Sequence, residues 1–192
     1  MNSTHDLLTN SLAAHLQVMQ TLLDSRLDQI AATGQLICDA LNAGNKILLC
    51  GNGGSAADAQ HIAAELVGRY ELQRRAFPAI ALTTDTSALT AISNDFGYEG
   101  VFARQVEALA VAGDLLIAIS TSGKSPNIIK AVEQARLRGC KTLALTGCAG
   151  EPLASQCDAA LVVPSERTSR VQEAHITIAH LWCEMIDAML GL

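Results

Sequence analysis

The stretch Lys46-Ile47-Leu48-Leu49-Cys50-Gly51-Asn52-Gly53-Gly54-Ser55 passes from an apolar run into a glycine loop. A short continuous apolar run bounded by turn residues reads as a strand buried on both faces. Ser55 to Arg69 then carries helical spacing, with Ser55 and Asp58 placed like a capping box. A buried strand, a glycine loop and a helix, in that order, open a parallel α/β unit.

The same alternation continues downstream. Ala79 to Leu82, Asp114 to Ile119, Lys141 to Leu145 and Ala159 to Val163 read as four more buried strands. Ser87 to Asn94 and Val101 to Ala110 read as short helices, Ser125 to Arg138 as a helix with Pro126 in its first position, and Arg167 to Leu190 as a long final helix. Upstream, the first 43 residues have apolar positions at three- and four-residue steps, from Leu7 through Leu41, and Ala43-Gly44-Asn45 stops that pattern. The expected fold is α/β: a three-layer, doubly wound, five-stranded parallel sheet. Residues 1–192 form one domain, of which 1–45 are an N-terminal helical extension for oligomer contacts. In such sheets ligands bind beyond the carboxyl ends of the strands, where the strand order reverses. The loops after the first and third strands are therefore the candidate site.

Composition narrows the class. Hydrophobic residues make up 49% of the chain and charged residues only 17%, with mean hydropathy +0.26. A chain this apolar is either a membrane protein or one that buries extra surface in an oligomer. No 18-residue apolar stretch is present, so a membrane partner is not expected. The formal charge of −6 argues against a nucleic-acid partner, which favours a basic face. The densest basic stretch, Arg69 to Arg75, reads as a solvated loop. The start, from Met1 to Asp6, has neither a basic nor an apolar leader segment, and a cytoplasmic location is expected. The six cysteines form no C-x-x-C pair and read as buried reduced thiols.

Both candidate loops suit an anion. Gly51-Asn52-Gly53-Gly54-Ser55 combines glycines, which let backbone approach closely, with a helix N-terminus. It also matches G-x-G-x-x-A through Ala56, although the acidic residue that a dinucleotide site wants has its only counterpart in the distant Asp85. Ser120-Thr121-Ser122-Gly123-Lys124-Ser125 places four hydroxyls around one glycine, a donor set for a phosphate monoester. Its A-x-x-x-x-G-K-S frame approximates a nucleotide P-loop with the first glycine replaced by Ala118. Two further groups carry acid–base or metal chemistry. His61 and Glu65 share a helix face at i, i+4, and the final helix carries Gln172, Glu173, His175 and His180.

Gly51-Asn52-Gly53-Gly54-Ser55 followed by Ile119 to Ser125 resembles the sugar isomerase (SIS) family, over nearly the whole chain. His61-x3-Glu65-x3-Arg69, Asn94-Asp95-Phe96-Gly97 and Gln172-Glu173-x-His175-x4-His180 are similar to the phosphoheptose isomerase members of that family. The resemblance implies conversion of sedoheptulose 7-phosphate to D-glycero-D-manno-heptose 7-phosphate through an enediol, the first step of the heptose branch of lipopolysaccharide biosynthesis. It implies that Ser120, Thr121, Ser122 and Ser125 hold the phosphate. Asn52, Gly53, Gly54, Ser55, Glu65, Arg69, Asn94, Asp95 and Gln172 would be further substrate contacts. It implies one zinc ion per subunit on His61, Glu65, Gln172 and His180, with Glu65 and His180 as the catalytic pair, and a homotetramer. Ser169 departs from several relatives that carry aspartate there. A different class also remains open: SIS relatives that bind the replication initiator DnaA without catalysis. So does an isomerase or sensor for another phosphosugar. Gln172 and His180 are eight residues apart, about 12 Å along a helix. The complete site is therefore expected to draw on more than one subunit.

Overall fold

The computed structural model describes residues 3–191; Met1, Asn2 and Leu192, which the expected domain includes, lie outside them. Five strands form one all-parallel sheet: β1 (Ile47–Gly51), β2 (Ala79–Ala81), β3 (Leu115–Ser120), β4 (Lys141–Gly147) and β5 (Ala159–Val163), in the order β2-β1-β3-β4-β5. The order reverses at β1, so the crevice lies between the carboxyl ends of β1 and β3. The register places Gly51 beside Ile119 and Ser120 beside Thr146. Both candidate loops leave the sheet at that crevice.

The inner strands β1 and β3 are buried along their whole length because both faces are covered. The edge strand β2, expected to be buried, leaves Ile80 exposed because no strand pairs beyond it. Ile47, Leu49, Leu115, Ile117 and Leu143 point into a core with α2 (Leu27–Asn42), α3 (Gly54–Val67) and α8 (Thr168–Leu190). Leu48, Cys50, Leu116, Ala118 and Ala144 point into the opposite core, against α5 (Val101–Leu109), α6 (Pro126–Leu137) and α7 (Glu151–Ala154). Alternate side chains of each strand thus serve different layers. The expected three-layer sheet is the observed one.

The N-terminal segment is helical as expected but is interrupted. α1 (Thr4–Ser25) starts with a capping box of Ser3 and Asp6 and ends at Arg26, where φ is −127°. α2 begins at once beyond it and continues through Gly34. The α1 surface carries Leu7, Leu8, Leu12 and Leu16, each more than half exposed. α8 packs along α2, where buried Trp182 donates its indole N–H to Ile30 O at 3.2 Å and Thr33 Oγ1 at 3.1 Å. α4 (Thr86–Phe96) is longer than its apolar pattern suggests, because Asp85 caps it by accepting from Ala88 N at 2.9 Å. That contact uses the carboxylate that a dinucleotide site would need. The single turn α7 is too short to leave a periodic signal in the sequence.

Candidate active site

The first loop turns on Gly53. Its φ of +56° is one that glycine adopts without strain, and it is the N-cap of α3. Ser55 is therefore inside the first turn, and the expected Ser55–Asp58 capping box does not form. Gly54 faces α8. A Cβ at that position would overlap the side-chain amide of Gln172, so the absence of a side chain lets Gln172 approach the loop.

The second loop is organised by its own hydroxyls. Ser120 Oγ accepts from Gly123 N at 3.1 Å and lies 3.2 Å from Ser125 Oγ. Ser122 Oγ accepts from Lys124 N at 3.3 Å. Ser125 is the N-cap of α6, yet its side chain makes no capping bond and pairs with the Ser120 hydroxyl instead. Asn52, Ser55, Ser120, Thr121, Ser122 and Ser125, with Ile119, line a cavity of about 90 Å³ between the loops. The two loops therefore form one polar cavity at the switch point, flanked by two helix N-termini.

Farther along α3, three side chains gather within one chain. His61 Nε2 lies 3.0 Å from His180 Nε2 and 3.4 Å from Glu65 Oε1. The Tyr70 ring packs beside His180 with centroids 5.4 Å apart. Gln172 lies two helical turns before His180, against Gly54. His61, Glu65 and His180 thus meet without help from a second subunit, whereas Gln172 belongs to the glycine-loop end of the site. Among the described residues, no group of three or more His, Cys, Asp and Glu side chains converges into a metal cage. The fit to a metal ion rests on the facing histidines, with Glu65 beside one of them.

Other expected contacts stand apart in the single chain. Arg69 donates to the carbonyl of Glu71 at 3.1 Å and turns onto its own loop. Exposed Asn94 and Asp95 bond to each other, through Asn94 Nδ2 and Asp95 Oδ1 at 2.8 Å. The basic stretch also differs from a solvated loop. The Arg74 side chain is fully buried: it pairs with Asp187 on α8 at 2.7 Å and donates to the carbonyls of Glu65 and Leu66. Cys148 is exposed, against the expectation of uniformly buried thiols, while Cys38, Cys50, Cys140 and Cys183 are buried.

Three groups near the site are not among the expected residues: in the sequence Asp58 reads only as part of a helix cap, and Tyr98 and Asn127 carry no signal. Asp58 is buried beside a cavity of about 320 Å³ lined also by Ser169, Gln172, Glu173 and Ile176, and its Oδ2 has no hydrogen-bond partner. Burial pushes its carboxyl up to about 6, with His61 pulling the other way. Tyr98 and Asn127 both bond to Asn52. Neither pairing has a fixed spacing that a motif could record, although most buried side-chain amides do find a partner.

The SIS domain model matches residues 12–147. The phosphoheptose isomerase of a Nitratiruptor species is 62% identical over 156 residues, covering 81% of this chain and 83% of that protein. The phosphoheptose isomerase of Aliarcobacter butzleri is 56% identical over 178 residues, covering 93% and 94%. The solved structure of phosphoheptose isomerase GmhA from Neisseria gonorrhoeae superposes with a TM-score of 0.92 at 43% identity, covering 97% of this chain and all of that one. With its five-stranded sheet, its paired loops and these relatives, the chain belongs to the SIS-domain family and, within it, to the phosphoheptose isomerases.

Proposed function

We propose that the chain interconverts sedoheptulose 7-phosphate and D-glycero-D-manno-heptose 7-phosphate, an aldose–ketose isomerisation through an enediol. The observation that carries this reading is one helix with an anion cavity at its start and a carboxylate–imidazole cluster farther along. His61 is six residues beyond Ser55, about 9 Å along α3. That span suits an extended seven-carbon chain with its phosphate at one end and its reacting carbons at the other.

The hydroxyls of Ser120, Thr121, Ser122 and Ser125 hold the phosphate, and Gly53, Gly54 and Gln172 border the sugar. This anchoring fixes the reacting carbons against α3 and α8. Glu65 takes the carbon-bound proton from one carbon and returns it to the next. His180 serves the two oxygens, since an imidazole ring carries both an N–H that donates and a nitrogen that accepts. His61, Glu65 and His180 are the residues of one chain that would hold a zinc ion. Gln172, the fourth expected ligand, would have to leave its place against Gly54 to join them. Bound there, the ion would polarise the carbonyl and stabilise the enediolate. Glu65 has two oxygens and can divide them between metal and proton. His180 has two ring nitrogens, of which Nε2 faces His61, so its metal and proton roles would belong to different states.

We also propose a cytoplasmic homotetramer acting at the first step of the heptose branch of lipopolysaccharide biosynthesis. Unpaired thiols suit a reducing compartment. The exposed leucines of α1 supply apolar surface for subunit contacts. Arg69, Asn94 and Asp95, which lack site contacts within one chain, are the residues a neighbouring subunit would bring to completion.

The test is turnover of sedoheptulose 7-phosphate by metal-replete protein, with Glu65→Gln as control. Turnover that falls at least a hundredfold in Glu65→Gln is expected. An inactive wild type overturns the reaction, and undiminished activity in Glu65→Gln overturns the base.

A further inference from the structure

Asn127 has no part in the chemistry above, yet it is only 3% exposed in the first turn of α6. Its amide pairs edge to edge with that of Asn52 across the switch point. Asn52 Nδ2 donates to Asn127 Oδ1 at 2.9 Å, and Asn127 Nδ2 donates back to Asn52 Oδ1 at 2.9 Å. The Tyr98 hydroxyl donates to the same Asn52 Oδ1 at 3.0 Å. An amide oxygen offers two lone pairs and an amide nitrogen two N–H groups. Both acceptor positions of Asn52 are therefore taken, and one N–H is left over. Asn52 is also part of the wall of the 90 Å³ cavity that carries the serine hydroxyls.

We infer that Asn127 is a positioning residue that locks the Asn52 amide, so that it offers one N–H and no acceptor to an anion between the two loops. The inference rests on the proposed phosphate role of that cavity. An asparagine held by nothing rotates about a broad terminal torsion and turns its oxygen toward the ligand as readily as its nitrogen. An oxygen facing a phosphate repels it, and freezing the rotation on binding costs entropy. The reciprocal pair removes both penalties before the ligand arrives. In the observed sense of the pair the Tyr98 hydroxyl adds a second bond to the Asn52 oxygen. Asn127 follows Ser125 by two residues, so the lock also ties the glycine loop to the hydroxyl loop. The reacting carbons are at the other end of α3, and the effect of Asn127 therefore falls on ligand affinity.

The probe is inorganic phosphate, and the measurement is its dissociation constant with the full chain, by calorimetry. The proteins compared are wild type, Asn52→Ala, Asn127→Ala and the double variant. Each single change is expected to weaken phosphate about tenfold, the loss of one hydrogen bond to a charged group. The double variant is expected to weaken it no further than Asn52→Ala alone. In turnover, Asn127→Ala is expected to raise KM more than it lowers kcat. Losses that add in the double variant overturn the inference, as does unchanged phosphate affinity in folded Asn127→Ala. A wild type that binds no phosphate overturns the phosphate reading and the inference together. Tyr98→Phe supplies a second route if Asn127→Ala does not fold. It is expected to weaken phosphate severalfold in the wild-type background and not at all in Asn52→Ala. Equal losses in both backgrounds overturn the inference.

Discussion

The Nε2 atoms of His61 and His180 face one another at 3.0 Å, although the residues are 119 positions apart. Two neutral imidazoles that present lone pairs to each other need a shared proton or a shared cation. Four ligands about 2.0–2.2 Å from a tetrahedral ion lie roughly 3.3–3.6 Å from one another. The histidine pair, with Glu65 Oε1 at 3.4 Å from His61, is close to that spacing. The expected outcome is one zinc ion per chain by elemental analysis, and loss of activity on chelation that zinc restores. His61→Ala should lower zinc affinity at least tenfold while leaving the fold intact. Full zinc retention in His61→Ala would remove this pair from the metal site.

The Arg74–Asp187 pair fixes the α3 end of that cluster. Asp187 accepts from Glu71 N at 3.1 Å and Leu72 N at 2.9 Å as well as from Arg74, and Arg74 reaches back to the carbonyl of Glu65. Burial alone would raise the Asp187 carboxyl, but the two backbone N–H groups and the guanidinium outweigh it and hold the carboxyl below its usual range. A depressed folded-state pKa contributes stability above the unfolded value, near 4, and that stability is lost as pH falls through the folded value. Asp187→Asn leaves a buried guanidinium without a counter-charge and should cost about 3–5 kcal/mol in urea unfolding at pH 7. The gap between wild type and variant should narrow below pH 4. A constant gap down to pH 2 would assign the loss to packing.

The sheet was legible because its inner strands β1 and β3 are covered on both faces and so carry apolar runs. The paired loops were legible because glycines at strand ends let a ligand approach the backbone and hydroxyls there add donors for an anion. Other features leave no such trace. Arg26 breaks the N-terminal helices without a glycine or proline. Arg74 looks solvated in a run of charges, and its burial depends on Asp187, 113 residues away. Asn52, in the glycine loop, and Asn127, in the first turn of α6, are 75 residues apart. Spacing on α8 predicts which residues share a face, but only the packing against α3 shows that His180 meets His61 while Gln172 meets Gly54.

Gly54 makes a separate prediction. The space where its Cβ would stand is filled by the Gln172 amide, the movable end of a flexible side chain. Gly54→Ala should therefore displace Gln172 with little effect on stability, within about 1 kcal/mol, since Gly to Ala favours helix at this position. kcat/KM for sedoheptulose 7-phosphate should fall about tenfold or more, as a misplaced contact costs positioning. Unchanged kcat/KM would show that Gln172 has no part in turnover.

His175 makes the last. It is wholly buried on α8, and among the described residues neither ring nitrogen completes a hydrogen bond, the Thr146 backbone exerting only a weak pull on the ring. Burial disfavours the charged ring and pushes its pKa down to about 4. The unfolded chain, with an ordinary value near 6.5, binds a proton over the interval in which the folded chain does not. Stability therefore declines as pH falls from 6.5 toward 4, by roughly 3 kcal/mol for a shift of this size. His175→Met carries no titrating group and fills similar space with polarisable apolar atoms. The variant should match or exceed wild type in urea midpoint at pH 5 and lose the slope between pH 6.5 and 4. A slope that survives in His175→Met would place the titration on other groups, Asp58 excluded, because a carboxyl raised to about 6 favours the protonated fold and tilts stability the opposite way.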